Sequence, residues 1–205
     1  YEIGSGLVGS EMCIRDRGED FQMFERDLPG ENKAGLSSES EIGQLPLETC
    51  QTMNGMWGYK IQDQNYKSVS ELIRLLVKAS GKGANLLMNV GPQPNGEIPA
   101  VALERLKGMG EWLSKYGETV YGTTRGDVMT ADWGTTTRKG NTLYVHILTD
   151  NMPQFVTLPL KDKVVSAVNL NTGTKVSYEK IKGGIVLHTD NLEPEIDCIV
   201  ELKLK

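Results

Sequence analysis

Apolar residues in the first half of the chain fall into short runs of the length that strands require. Phe21–Phe24 is one such run, ending at Glu25, and Leu45–Met53 predicts a second strand interrupted by polar residues. Ala84–Val90 is a nearly continuous apolar run, which is typical of a strand buried on both faces of a parallel sheet. The sequence therefore predicts several short strands between residues 18 and 90.

Two longer stretches have helical spacing instead. After Ser68, apolar residues recur at intervals of three and four, and Ser68 with Glu71 forms the S-x-x-E capping box of a helix start. Gly81 is placed to end this helix. A second helix should begin at Pro99 and end at Gly117. The alternation of helix, strand, turn and helix indicates a βα repeat.

The second helix predicts its own packing. Its buried stripe should consist of Ala102, Leu106, Met109, Leu113 and Tyr116, and Trp112 should lie in the core. Gly108 and Gly110 each weaken a helix by about 1 kcal/mol relative to alanine, so we expect close packing at both.

After about residue 127 the pattern changes to short strand-like segments separated by turn sequences, with no helical period. These segments are Leu143–Leu148, Phe155–Leu160, Val164–Leu170, Lys175–Ile181, Ile185–His188 and Ile196–Leu204. Such spacing predicts an antiparallel β-sandwich appended to the α/β part. The seam should lie near Tyr121–Trp133.

Composition narrows the class of function. Hydrophobic residues make up 39% of the 205 and charged residues 24%, with a net charge of −5 and no basic block. These values give no support to a nucleic-acid or membrane partner. The three cysteines (Cys13, Cys50 and Cys198) and the two histidines (His146 and His188) are widely separated. This spacing favours neither a disulfide framework nor metal or Ser-His chemistry, and we expect no cofactor.

The first residues have a different character. Val8–Arg17, VGSEMCIRDR, fits no structural period and resembles a translated sequencing adapter rather than protein sequence. The alternative is a genuine polar loop. We interpret residues 1–17 as an artefact and base no further expectation on them.

Four segments resemble the α-L-fucosidases of glycoside hydrolase family 29. They are GEDFQMFERDLPG, ETCQTMNGMWGYK, GKGANLLMNVGPQPNGEIP and LERLKGMGEWLSKYGETVYGT. The resemblance covers residues 18–124 and implies the C-terminal part of a catalytic (β/α)8 TIM-like barrel. The expected β-sandwich at 127–205 has the size and position of the family's C-terminal domain.

The resemblance also implies a retaining hydrolysis of terminal α-L-fucose by two carboxylates about 5–5.5 Å apart. The family's nucleophile is an aspartate in an apolar–Asp–Gly setting on an earlier strand, and no aspartate of this chain has that setting. Glu25 matches the acid/base, with Glu31 as the second candidate. Apolar neighbours of Glu25 would shield it from water, whereas Arg26 would favour its charged form. We interpret Glu48 as a support residue.

Trp57 matches an aromatic position that, in the family, covers the C5-methyl face of fucose. The structural alternative is a packing tryptophan at a domain junction. Asn85 and Asn89 need hydrogen-bond partners inside their strand, and we expect them to shape the barrel mouth.

Two competing hypotheses remain open. The sandwich could be a non-catalytic carbohydrate-binding module, although residues 127–205 offer it only Trp133, Tyr144, Phe155 and Tyr178. The chain could also be an inactive piece of an enzyme, with open strand edges and uncovered apolar faces. The expected partner is a fucosylated oligosaccharide or glycoprotein glycan. Family members are often exported to the periplasm or the extracellular space, but this sequence leaves location and oligomeric state undetermined.

Overall fold

The computed structural model describes residues 20–35 and 42–205. The segment interpreted as an artefact, with Cys13, lies outside these residues. Contacts divide the chain into two compact units. Of the described residues, the first comprises 20–35, 42–67 and Gly83–Leu103, and the second comprises Ser68–Lys82 and Glu104–Lys205.

The first unit contains a three-stranded parallel sheet. Its strands are β1 (Gln22–Glu25), β2 (Leu47–Thr52) and β3 (Ala84–Asn89), in the spatial order β1-β2-β3. The strand predictions are confirmed, except that Glu25 is the last residue of β1 instead of following it. Parallel strands need a crossover connection, and the helix expected after Ser68 lies between β2 and β3 in the chain.

The prediction that the third strand is buried on both faces is wrong for this chain. Leu87 is 46% exposed, and Asn85 is exposed as well. Asn85 and Leu87 alternate along the strand and therefore lie on one face of β3, which is open to water. No strand among the described residues pairs with the outer edge of β1 or of β3.

Helix α1 (Val69–Gly81) begins as predicted. The Glu71 amide donates to the Ser68 hydroxyl over 3.2 Å, and the Ser68 amide donates to the Glu71 carboxylate over 2.7 Å. The helix ends at Gly81 as predicted, and the left-handed residue that follows it is Gly83, with φ of 79°. A Cβ atom at Gly81 would lie 2.1 Å from the Thr135 hydroxyl oxygen, so this glycine permits close packing.

Helix α2 (Ala100–Tyr116) begins directly after Pro99 and continues into a 3-10 turn at Gly117–Thr119. Trp112 is buried as predicted, with its ring 5.7 Å from that of Tyr116, whereas Leu106 is exposed. Neither helix, among the residues that the structure describes, has the length and hydropathy needed to cross a membrane.

The second unit contains two antiparallel sheets with a common apolar core, as predicted for a sandwich. One sheet has five strands in the order β4-β5-β6-β11-β8, and the other has three in the order β7-β10-β9. Leu143, Leu158 and Leu187 come from different strands and are fully buried in this core. The strands are β4 (Thr124–Arg125), β5 (Gly134–Lys139), β6 (Thr142–Ile147), β7 (Phe155–Leu158), β8 (Val164–Asn169), β9 (Tyr178–Ile181), β10 (Gly184–His188) and β11 (Cys198–Leu204).

Strand β5 was not predicted, because its sequence GTTTRK contains no apolar residue apart from glycine. Thr135, Thr136 and Thr137 are nevertheless fully buried. Each hydroxyl has a partner: the Thr130 hydroxyl, the Val128 carbonyl and the Thr119 carbonyl, respectively. These hydrogen bonds remove the usual penalty for burying polar side chains.

His146, on β6 next to β5, and Asp197, directly before β11, form a fully buried pair. The His146 Nδ1 atom lies 2.7 Å from the Asp197 Oδ2 atom, and its Nε2 atom lies 3.0 Å from the Thr137 hydroxyl. The second Asp197 oxygen, Oδ1, is buried without a hydrogen-bond partner. Because the Thr137 hydroxyl donates to a carbonyl and has no access to solvent, this triplet stabilises the sheet and cannot act as a nucleophilic triad.

The two helix glycines give a matched test of packing. A Cβ atom at Gly108 would lie 2.7 Å from the Val69 Cγ2 atom, whereas one at Gly110 would meet nothing within 4 Å. We expect Gly110→Ala to raise the free energy of unfolding by about 0.5–1 kcal/mol, and Gly108→Ala to lower it by about 1 kcal/mol. Equal shifts of the two denaturant midpoints would contradict this packing.

The buried pair predicts non-additive stability effects. We expect His146→Leu to lower the free energy of unfolding by about 3–5 kcal/mol, because the Asp197 carboxylate loses its partner while it stays buried. The double variant His146→Leu/Asp197→Leu should lose less than the single one, since no charge remains inside. Urea denaturation of both variants measures the difference, and a double-variant loss equal to or larger than the single one contradicts the prediction.

Candidate active site

The candidate site lies in the first unit, at the carboxyl ends of β1 and β2. Glu25 ends β1 and is in register with Cys50 of β2. Strand β2 then leads into Met53–Gly58, which we call the Trp57 loop. Because parallel strands end at the same edge of a sheet, the residues that follow them lie close together there.

The structure brings Glu25 and Trp57 into direct contact. The Trp57 indole Nε1 atom donates to the Glu25 Oε1 atom over 3.1 Å, although the two residues are 32 positions apart. Both side chains are half-buried. One carboxylate oxygen is therefore held by a fixed donor, and neither residue is sealed inside the unit.

Arg26 has an unusual backbone for an arginine. Its φ is 60°, and it is the one residue other than glycine with positive φ among those that the structure describes. This left-handed conformation costs roughly 1–2 kcal/mol for a residue with a Cβ atom. Its guanidinium lies 5.2 Å from the centre of the Trp57 ring and donates to the Gly55 carbonyl over 2.9 Å.

Hydrogen bonds fix the Trp57 loop from several sides. The Thr52 hydroxyl donates to the Met56 carbonyl over 2.8 Å, and the Gly55 amide donates to the Asp63 carboxylate over 2.9 Å. The Asn89 side chain, at the end of β3, donates to the Trp57 carbonyl over 2.6 Å. All three strands therefore contribute to the position of the indole.

The close approach of two glycines completes this support. A Cβ atom at Gly91 would lie 2.6 Å from the backbone of Gly58 and Tyr59. Only glycine lets the segment after β3 pass this near to the Trp57 loop.

The two cysteines of the described chain, Cys50 and Cys198, both have raised pKa values. Burial raises the pKa of the Cys50 thiol, and the charge of Glu25 raises it further. Burial and the charges of Asp197 and Glu195 also raise the pKa of Cys198, to about 12. Neither thiol is therefore ionised near neutral pH, which disfavours cysteine as a nucleophile at these positions.

The other two glutamates have different surroundings. Glu31 forms an ion pair of 2.9 Å with Lys33, whose pKa is raised by the hydrogen bond to Glu31 and by its charge. Glu48 lies within β2, in register with Asn85 of β3. Glu25 is thus the glutamate that contacts Trp57.

Two residues that hold this site have no supporting role in the sequence-based expectations: Arg26 has only the effect of its charge on Glu25, and Asp63 has no predicted role. Asn89, expected to shape the barrel mouth, binds the Trp57 loop. The motif NGMWGYK contains glycines that predict a tight loop, but its anchors lie on other segments. A single sequence does not reveal such distant pairs.

Other chemistries find no comparable arrangement in the described part of the chain. No group of three His, Cys, Asp or Glu side chains there could hold a metal ion. Of the four aromatics available to a binding module in the sandwich, Tyr144 is buried, and Trp133 and Tyr178 pack against the core. Phe155 is the exposed one.

Comparison with known proteins identifies the family. Residues 6–118, more than half of the chain, match the family model for alpha-L-fucosidase. The chain belongs to the α-L-fucosidase family. It is 38% identical over 109 residues to the plasma alpha-L-fucosidase of Homo sapiens, which covers 49% of the chain.

Solved fucosidases have the same fold over most of this family member. Alpha-L-fucosidase isoenzyme 1 from Paenibacillus thiaminolyticus covers 91% of the chain at 32% identity, with a TM-score of 0.74. The alpha-fucosidase of Thermotoga maritima, solved with a mechanism-based inhibitor, covers 92% at 26% identity, with a TM-score of 0.72. The chain spans 23% of the human protein and 45% and 44% of the two bacterial ones.

Proposed function

We propose that this chain supplies the acid/base half of a retaining α-L-fucosidase, with Glu25 as the acid/base residue. The observation that carries the proposal is the 3.1 Å hydrogen bond between Glu25 and Trp57. Family resemblance assigns each of these residues separately, one to proton transfer and the other to sugar binding. Their contact is what a single active site requires.

In the proposed reaction, Glu25 first donates a proton to the glycosidic oxygen while an aspartate attacks the anomeric carbon and the glycosidic bond breaks. Glu25 then takes a proton from the water that hydrolyses the fucosyl-enzyme. Because Oε1 accepts the indole N–H, the proton of the neutral acid belongs on Oε2, which is left to face the leaving group. The aspartate would come from a part of the enzyme outside this chain.

Trp57 would bind the sugar through the face of its ring. Fucose is a 6-deoxy sugar, so its C5-methyl side is apolar and suits contact with an indole. The guanidinium of Arg26 lies over the ring of Trp57, which leaves the opposite ring face for the substrate. The proposed substrate class is a glycan with a terminal α-L-fucose, on an oligosaccharide or a glycoprotein.

We further propose that residues 18–124 are the C-terminal part of a (β/α)8 barrel and that 127–205 form the attached sandwich domain. The parallel pairing of β1, β2 and β3 and the open outer edges of this sheet support the first assignment. In a complete barrel those edges would pair with the missing strands. The alternative function, a carbohydrate-binding module, has weaker support. Of its four aromatic residues, Phe155 alone is exposed and could contact a sugar.

The complete fucosidase that contains these residues tests the acid/base assignment. We expect Glu25→Ala to lower kcat/KM by about 10²–10⁴-fold for fucosides with poor leaving groups, because proton donation to the departing oxygen is lost. With an aryl fucoside whose good leaving group needs no proton, external azide should raise the kcat of the Glu25→Ala enzyme, since azide needs no base to attack the fucosyl-enzyme.

Glu31→Ala is the matched control for this experiment. It removes a carboxylate that pairs with Lys33, so we expect turnover close to that of the unaltered enzyme. Azide rescue of Glu31→Ala, with an active Glu25→Ala enzyme, would move the assignment to Glu31.

The 205-residue chain by itself should not release the aryl group from an aryl α-L-fucoside, because one of the two required carboxylates is absent. The measurement is the absorbance of the released phenolate with excess enzyme. Clear turnover, abolished by Glu25→Ala, would mean that an aspartate of this chain serves as the nucleophile.

A further inference from the structure

We propose that Arg26 is a positioning residue that holds the Trp57 indole against Glu25. This inference rests on the proposed roles of Glu25 and Trp57. It assigns to Arg26, the residue after the proposed acid/base, the function of fixing the ring of Trp57.

The first observation is the direction of two consecutive side chains. In a regular strand, successive side chains point to opposite faces. Glu25 and Arg26 nevertheless both contact the Trp57 loop, the former at the indole nitrogen and the latter at the ring and the Gly55 carbonyl. The left-handed backbone of Arg26 breaks the alternation and makes this possible.

The second observation is that different residues contact the backbone of the Trp57 loop and the ring of Trp57. Asn89 and Thr52 bind carbonyl groups of the Trp57 loop, so they fix its backbone but not the side-chain torsions of Trp57. Two contacts of the ring itself are the hydrogen bond to Glu25 and the guanidinium of Arg26. Without the guanidinium, the first of these would remain, a hydrogen bond to a carboxyl that changes protonation in each cycle.

A strained backbone at a functional site is retained when the surroundings depend on it. The Arg26 amide still donates to the Cys50 carbonyl over 2.9 Å, so the strand pairing continues up to the residue whose conformation departs from it. The strain is thus confined to one residue and directs its side chain to Trp57. We infer that an arginine at this position is needed to hold the Trp57 ring in place.

The test uses the complete fucosidase with three variants. Arg26→Asn tolerates the left-handed backbone but removes the guanidinium. Arg26→Lys keeps a cation that can lie over the ring. Arg125→Asn, at an exposed position of β4, is the matched control. The readouts are kcat and KM for an aryl α-L-fucoside, and the fluorine NMR signal of 5-fluorotryptophan at position 57, assigned by its loss in Trp57→Phe.

We expect Arg26→Asn to lower kcat/KM at least tenfold and to shift or broaden the Trp57 signal, with the other tryptophan signals unchanged. Arg26→Lys should recover part of both effects, and Arg125→Asn should change neither. An unchanged Trp57 signal in Arg26→Asn overturns the proposal, and so does a moved signal with unaltered kcat/KM. An active Glu25→Ala enzyme would instead overturn the proposed acid/base, whatever the Trp57 signal does in Arg26→Asn.

Discussion

The parallel pairing of β1 with β2 is the constraint on which the candidate site depends. Its register sets Glu25 opposite Cys50, so that the chain leaving β2 can return its tryptophan to the carboxylate. A shift by one residue would turn Glu25 to the other face of the sheet, because side chains alternate along a strand. The geometry of the candidate site therefore depends on backbone hydrogen bonds as much as on the side chains of Glu25 and Trp57.

Much of the fold could be predicted from the sequence because local rules decide it. The Ser68–Glu71 capping box marks a helix start without help from the rest of the chain, and the turn sequences separate the strands of the sandwich correctly. Strand β5 could not be found this way, since its threonines are buried by partners that folding alone brings near. Gly110 and Gly108 look alike in sequence, yet only Gly108 has a neighbour that excludes a side chain.

The candidate site likewise contains residues that the sequence indicates and residues whose role appears only in the folded structure. Resemblance to a family supplies Glu25 and Trp57, because the residues around them are distinctive in themselves. The contacts of Arg26, Asp63 and Asn89 follow from folding, since each joins segments that are distant or differently oriented in the chain. Sequence motifs thus locate the candidate site residues, whereas the rigidity that such residues require comes from residues with no motif of their own.

The open edge of β3 has a consequence for how such a chain behaves in solution. No strand of the described residues pairs with this edge, which lies beside the exposed Leu87, so its amide and carbonyl groups offer a ladder to any extended segment that meets it. Copies of the chain can satisfy these groups on one another, and the propensity to do so rises with concentration. Self-association is therefore the behaviour that we expect of a three-stranded parallel sheet with open edges.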